Sequence, residues 1–283
     1  MITKHNRKVY FQGEYGAYSE EAAYEYFGSK IETRPCPTFN DVFQDVSDHD
    51  NALGLLPIEN SLAGSIHRNY DLLLRYDLSI VGEYYFRVSH CLLALPDVKI
   101  GSLRRVHSHP QALAQCEKNL TNLGVEKIPE ADTAGSARML RSFDDPHAAA
   151  LASRRAADVY DLKILAENFE DNPANYTRFL CLSRNRDLTK NISPSDYKTS
   201  AVFSLDNRPG ALFRALGVFA LRDIDLTKIE SRPLVGKPGD YLFYVDFVGH
   251  INSPNIARAI EHLSEMAPFL RVFGSYPRHE ISL

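Results

Sequence analysis

The chain has 283 residues, 44% hydrophobic and 24% charged, enough for about two domains with their own cores. A net charge of -4, with Lys and Arg dispersed, argues against nucleic acid as a partner, and no apolar run approaches the length of a membrane span. The start Met1–Asn6 is polar, with no apolar signal region, and the four cysteines (Cys36, Cys91, Cys116, Cys181) have no Cys-x-x-Cys spacing. The expectation is a cytoplasmic protein with reduced, mostly buried thiols and no zinc site.

Lys8 to Phe11 reads as a short strand entering the loop Gly13–Ser19, followed by a helix from Glu20 to Phe27. Ser19 is placed to cap that helix, with Glu20 and Glu21 favouring the dipole of its first turn. Gly13 and Gly16 form no Gly-x-Gly-x-x-Gly and no Walker lysine follows, so a tight strand-to-helix turn is a better reading than a nucleotide loop. Thr33 to Pro35 is extended, Phe39 to Val46 helical, and Ala52 to Leu56 a buried strand ending at Pro57-Ile58-Glu59-Asn60-Ser61. Ser65 is expected to cap a helix carrying Ile66, Tyr70, Leu73 and Leu74 on one face. Glu59, Asn60 and Ser61 lie beyond the carboxyl end of a strand, where ligands collect in α/β sheets. The same residues also suit a turn and capping cluster.

After Leu78 to Phe86 and Cys91 to Leu95, a second α/β set begins at Arg105 to His107. Ser108-His109-Pro110-Gln111 opens a helix with Pro110 in its first turn, Leu113 and Cys116 inward and Leu120 near its end. His107 and His109 alternate, but no third ligand is near, which favours a cap or a substrate hydrogen bond over a metal pair. Asp132-Thr133 starts another helix, Ala148 to Ala152 is a small-residue strand, Arg154 to Val159 is helical and Leu162 to Leu165 extended. In Asn175-Tyr176-Thr177-Arg178-Phe179-Leu180-Cys181, an amide, a hydroxyl and a guanidinium head an apolar strand. An ordinary strand start with Arg178 on the surface would look the same.

Two α/β sets joined by extended crossings near Phe86–Leu95 and Asn175–Leu182 imply two lobes around a cleft, as in hinged, periplasmic-binding-protein-like folds. Helix starts after Ser19, Gly64, Ser108 and Thr133 are expected to offer N–H groups to it, favouring a small carboxylate. An enzyme and a binding protein share that pattern. Arg184 to Lys198 is polar and carries Pro194, so it reads as a linker. Beyond it come Thr199–Leu205 (strand), Gly210–Leu221 (helix, with Leu212, Leu216 and Phe219 inward), Leu226–Ser231 and Tyr241–Val248 (strands), Pro254–Glu265 (helix capped by Ser253) and Leu270–Gly274 (strand). That βαββαβ order is ferredoxin-like. The resulting division is 7–184 for the two-lobed domain, 185–198 for the linker and 199–278 for the last domain.

The runs Gly13 to Ala23, Pro57 to Gly82, Ser108 to Cys116, Asp132 to Ala137 and Asn175 to Phe179, with Gly210 to Phe213 and Ile229 to Pro233, resemble prephenate dehydratase fused to a C-terminal ACT regulatory domain. Ser65 to Leu74 and Asp240 to Phe247 are similar to the subgroup shared by plant arogenate dehydratases and some bacterial enzymes. The resemblance implies loss of water and carbon dioxide from prephenate to give phenylpyruvate, a reaction driven by aromatisation that needs no metal, nicotinamide or pyridoxal cofactor. It implies Thr177 as the essential hydroxyl. Arg178 and helix N-termini would anchor the dianion, and Asn60, Ser61, Ser19, Ser108, Gln111 and Phe179 would complete the substrate site. Where many members have Thr-Phe-Ser, this chain has Ala17-Tyr18-Ser19, as the plant-like subgroup does. Asn207, Gly210, Ala211, Leu212, Glu230 and Ser231 match positions that bind phenylalanine as feedback inhibitor. Such domains pair about a two-fold axis, implying a homodimer or homotetramer. The remaining alternatives are an arogenate dehydratase, which makes phenylalanine directly, and a non-catalytic amino-acid sensor.

Overall fold

The computed structural model describes residues 7–186, 196–234 and 239–280. The polar start 1–6 and the central part of the expected linker, 187–195, lie outside the described residues. The chain forms two compact units. One comprises Lys4–Tyr76 and Tyr84–Leu180, and the other is chiefly Asp77–Glu83 with Cys181–Leu283.

In the first unit, β1 (Arg7–Gln12) pairs in parallel with β2 (Ile31–Cys36) and β3 (Leu53–Asn60) around the helices α1 (Tyr18–Phe27) and α2 (Phe39–Asp48). Val9, Phe11, Leu53 and Leu55 are fully buried, so these strands read as near-continuous apolar runs, as central parallel strands do. α2 opens with a full capping box, Thr38 to Asp41. α1 does not start as expected. Its N-cap is Ala17, with no side-chain cap, and Ser19 already lies inside the helix. Glu20, read as favouring the dipole of the first turn, is fully buried. Its carboxylate accepts from Gly16 N (2.6 Å) and Thr33 Oγ1 (2.9 Å) and so fixes the preceding loop from beneath.

β3 runs four residues further than the apolar pattern suggested. It ends at Asn60, where β4 (Gly64–Ser65) folds back on it with Glu59 opposite Ser65 and Asn60 opposite Gly64. Ser65 is therefore a strand residue. The cap of α3 (His67–Arg75) is Ile66, which makes no side-chain cap hydrogen bond. After β5 (Ser79–Arg87) the chain crosses to a second sheet at Val88-Ser89-His90.

That second sheet contains β6 (Cys91–Ala94), β7 (Arg105–Ser108), β8 (Glu126–Pro129), β9 (Ala148–Ala152) and β10 (Lys163–Ala166). Its helices are α4 (Pro110–Gln115), α5 (Glu117–Leu123), α6 (Thr133–Phe143) and α7 (Arg154–Tyr160). The single helix expected after Ser108 is two, broken at Cys116. The sheet order is β10-β6-β9-β7-β8, and the alanines of β9 are buried, which lets α6 pack close on that strand. Residues 167–175 then return to the first sheet as β11 (Tyr176–Ser183), giving the order β2-β1-β3-β11-β5. The two crossings touch, since Val88 N donates to Asn175 O at 2.8 Å. The expected two lobes are therefore present, joined by a pair of hydrogen-bonded crossings.

The second unit is the βαββαβ domain: β12 (Tyr197–Leu205), α8 (Ala211–Ala220), β13 (Leu226–Pro233), β14 (Tyr241–Val248), α9 (Pro254–Met266) and β15 (Phe269–Pro277). Its antiparallel sheet has the order β13-β14-β12-β15, which is ferredoxin-like. The inward face of α8 is only partly the expected one. Phe219 points inward as expected, with Ala215 and Val218, but Leu216 is half-buried and Leu212 and Phe213 are exposed, Phe213 by 81%. Sequence periodicity did not assign Asp77–Glu83 to this unit. Lys198 Nζ reaches Glu83 Oε1 (2.7 Å) and Oε2 (3.0 Å) in a buried pair, and His279 N donates to the same carboxylate at 3.1 Å. A Cβ on Gly274 would stand 2.2 Å from Ile80 O, so only glycine allows that approach.

Candidate active site

The first unit holds an open cavity of about 460 Å³. Its polar wall comes from Gln12 on β1, Tyr18 and Ser19 in the first turn of α1, Asn60 at the end of β3, and His109, Gln111 and Gln115 around α4. Asp132 and Thr133 add the start of α6, Thr177 and Phe179 come from β11, and Val88, His90 and Asn175 from the lobe crossings. Pro57, Ile66, Ala112 and Ala131 supply apolar surface.

Asn60 organises one side. Its Oδ1 accepts from Leu62 N (3.0 Å) and Ala63 N (2.9 Å), so its amide nitrogen faces away from them. That nitrogen donates to Asn175 Oδ1 (2.8 Å) and Thr177 Oγ1 (3.0 Å). Residues 115 and 117 apart in sequence are thereby joined at the ends of neighbouring strands β3 and β11. Because Thr177 accepts from Asn60, its own proton must go to another acceptor, and its hydroxyl sits on the cavity wall. Behind Asn175, Gln115 Oε1 accepts from Asn175 Nδ2 at 3.0 Å and lies 2.8 Å from His90 Nε2, and Tyr18 Oη is 2.5 Å from His90 Nδ1. His90 is buried, and desolvation lowers its pKa below the ordinary value even though Gln115 and Glu170 pull the other way. Burial also raises the Tyr18 phenol well above its ordinary range, with Glu21 adding to it. Both groups are neutral near pH 7.

Of the expected substrate-site residues, Thr177, Asn60, Ser19, Gln111 and Phe179 line this cavity. Arg178 does not. Strand alternation turns it to the opposite face of β11, where it is 3% exposed, 3.6 Å from Glu59 and over the Tyr85 ring. No lysine or arginine lines the cavity among the described residues. Ser61 is also off the wall. It closes the loop by donating to Ala174 O (2.9 Å) and accepting from Tyr176 N (2.9 Å). Ser108 is buried with its hydroxyl on Leu151 O (2.7 Å), tying β7 to β9. His109 caps α4 by accepting from Gln111 N, and His107 pairs with Glu130 (2.9 Å). Gln12, Tyr18, His90 and Gln115 were not assigned to the site from sequence, and Asn175 was read only as one of the polar groups at the head of the Thr177 strand. The signal present for His90 and Asn175 was the one used for Thr177, a polar residue heading an apolar strand.

In the second unit, Gly210 takes a left-handed conformation (φ 77°) to start α8, and Asn207 is exposed beside it. A cavity of about 490 Å³ there is lined by Asp206, Arg208, Ala211 and Arg214 with Glu265–Pro268, and of the six expected effector residues only Ala211 lines it. Glu230 lies on the edge strand β13, 3.8 Å from Lys228, with Ser231 exposed next to it.

Two α/β lobes around an open cavity that mixes polar side chains with apolar surface, followed by a βαββαβ unit, define a small-molecule-binding domain with an appended ferredoxin-like domain. The prephenate dehydratase family model matches residues 9–187 and the ACT domain model residues 199–265. The chain is 50% identical to arogenate dehydratase/prephenate dehydratase 2 of Arabidopsis thaliana, over 95% of this chain and 72% of that protein. Among solved structures, prephenate dehydratase from Arthrobacter aurescens in complex with L-Phe superposes with a TM-score of 0.87 at 31% identity, covering 96% of this chain and 90% of that one. GqqA, described as a novel type of quorum-quenching acylase, superposes with a TM-score of 0.90 at 38% identity, covering 96% of this chain and 98% of that one. The chain belongs to the prephenate dehydratase family and carries the ACT domain. Its activity is that of a carbon–oxygen lyase, the decarboxylating dehydration of prephenate to phenylpyruvate.

Proposed function

We propose that the reaction takes place against Thr177, and the observation carrying this reading is the Asn60 Nδ2 to Thr177 Oγ1 hydrogen bond on the cavity wall. The ring C–O bond breaks with its electron pair on oxygen, which takes a proton through the Thr177 hydroxyl and leaves as water. The bond to the ring carboxylate breaks with its pair entering the ring, which becomes aromatic as carbon dioxide departs. A threonine hydroxyl is too weak an acid to finish the cycle charged, so the proton is replaced from solvent and Thr177 acts as donor and relay. With no cationic side chain on the wall among the described residues, the two substrate carboxylates rest on fixed dipoles. These are the first turns of α1 and α6, with Ser19, Gln111 and Thr133 beside them. An uncompensated environment of that kind also favours expelling one carboxylate as a neutral gas.

The names of the plant relatives include arogenate dehydratase, so the amino analogue is the second substrate to test. Purified protein is expected to convert prephenate to phenylpyruvate, with arogenate turnover measured in parallel. No turnover of either compound would leave a binding protein in its place. L-Phenylalanine is the proposed inhibitor, bound by Asn207 to Leu212 of one copy with Glu230 and Ser231. Exposed Leu212, Phe213, Leu221 and Ile229 on the ACT unit support a homodimer or a dimer of dimers. Four free, buried cysteines, with burial pushing Cys36 up to about 12 and Cys91 up to about 11, support work in a reducing compartment such as the cytoplasm.

A further inference from the structure

The hydrogen bonds of the cavity have a direction that can be read along the whole chain of side chains. Leu62 N and Ala63 N are backbone donors, so the Asn60 atom that meets them is the carbonyl oxygen. Asn60 must then donate to Asn175 Oδ1, and Asn175 in turn must donate to Gln115 Oε1. An oxygen in that place can only accept from His90, which fixes the imidazole proton on Nε2. Nδ1 is left as an acceptor, and Tyr18 supplies the proton to it. Two backbone amides thus determine the tautomer of a histidine several side chains away.

We propose that His90 is a positioning residue of the dehydratase: as the Nε2–H tautomer it holds Gln115 Oε1, keeping the Gln115 amide N–H groups and the Thr177 hydroxyl proton turned to the substrate. This deepens the reading of the site given above and rests on it. His90 is itself held in place. Its backbone N–H donates to Glu170 Oε2 (2.9 Å), whose other oxygen pairs with Arg87 (2.9 Å), and the Tyr18 ring meets the imidazole edge-on at 5.4 Å. If His90 carried its proton on Nδ1, its bare Nε2 would face Gln115 Oε1. Gln115 would have to turn its amide, Asn175 would follow, and Asn60 would be drawn off Thr177.

The test compares two amides at one position. In His90→Gln the side-chain nitrogen can take the place of Nε2 and still donate to Gln115. In His90→Asn only the Nδ1 place is filled. Prephenate turnover should show kcat lowered about 10- to 100-fold in His90→Asn with KM changed by less than about threefold, and kcat largely recovered in His90→Gln. Equal losses in the two variants, tracking equal losses in thermal stability, would mean that His90 only packs. The wild-type protein gives an independent readout that no folding failure can confound. Imidazole nitrogen NMR of ¹⁵N-histidine-labelled protein at neutral pH should report His90 protonated on Nε2, and the Nδ1–H pattern would overturn the proposal. Failure of the wild type to turn over prephenate would sink the assigned reaction instead, without bearing on the tautomer.

Discussion

In the cavity of the first unit, Thr177, Asn60, Asn175, Gln115, His90 and Tyr18 form one connected set within a single chain. Along the ACT unit, the residues matched to effector binding are divided between the turn before α8 and the edge strand β13, and only Ala211 borders the unit's cavity. The first arrangement is joined by hydrogen bonds within one copy, whereas the second is split between two separate elements of the unit. The contrast also separates two uses of polar groups. In the cavity they are satisfied by one another, which fixes their direction; on the ACT unit they lie on exposed elements, the turn before α8 followed by exposed Leu212 and Phe213.

The largest expected effect strikes the interior of the ACT unit. Lys198→Met leaves Glu83 buried without its cation, and urea unfolding should show a loss of about 3 to 5 kcal/mol. Stability within about 0.5 kcal/mol of wild type would mean that the pair is immaterial. Asn60→Asp attacks the cavity's direction. A carboxylate accepts where the amide donated, so Thr177 turns its proton toward residue 60, and kcat should fall about 100-fold with folding intact by circular dichroism.

How much of this contrast was legible in the sequence depends on distance along the chain. The β9 strand Ala148–Ala152 and the βαββαβ order were readable because they rest on local periodicity. Thr177 was readable because it heads an apolar strand, and Asn60 because it lies at the carboxyl end of one. Gln115 carries meaning only through His90 and Asn175, 25 and 60 residues away, and no local pattern reports that. The anchoring role given to Arg178 did not follow from its neighbours, since alternation along β11 places it behind the wall on which Thr177 and Phe179 stand. Ser19 failed as a cap for the opposite reason. Its residue type fits a cap, but Glu20 is drawn under the loop and the helix starts earlier.

The ACT surface is tested by Phe213→Glu. A charge on that exposed ring position should weaken self-association by about 2 kcal/mol, seen by sedimentation, and abolish the response to L-phenylalanine while basal turnover persists. An unchanged assembly would mean that the partner sits elsewhere. The smallest effect concerns Glu21, whose carboxyl is raised from 4.5 to about 7, first by desolvation and then by Glu25. Below pH 4.5 the group is neutral whether folded or not. As pH rises from 4.5 to about 7 the unfolded chain ionises this group while the fold keeps it protonated, so stability is lost across that window and the loss is complete above it. Glu21→Gln should therefore gain about 1 to 2 kcal/mol at pH 8 and nothing at pH 4, and a gain independent of pH would contradict that origin.

The most direct measurement is the rate of phenylpyruvate formation from prephenate by Thr177→Ala, set against Thr177→Ser. The serine keeps a hydroxyl that can accept from Asn60 and donate to the departing oxygen, so it should stay within about tenfold of wild type, while the alanine should lose about 1000-fold in kcat at little-changed KM. Wild-type turnover by the alanine variant would show that the proton reaches the leaving group by another path.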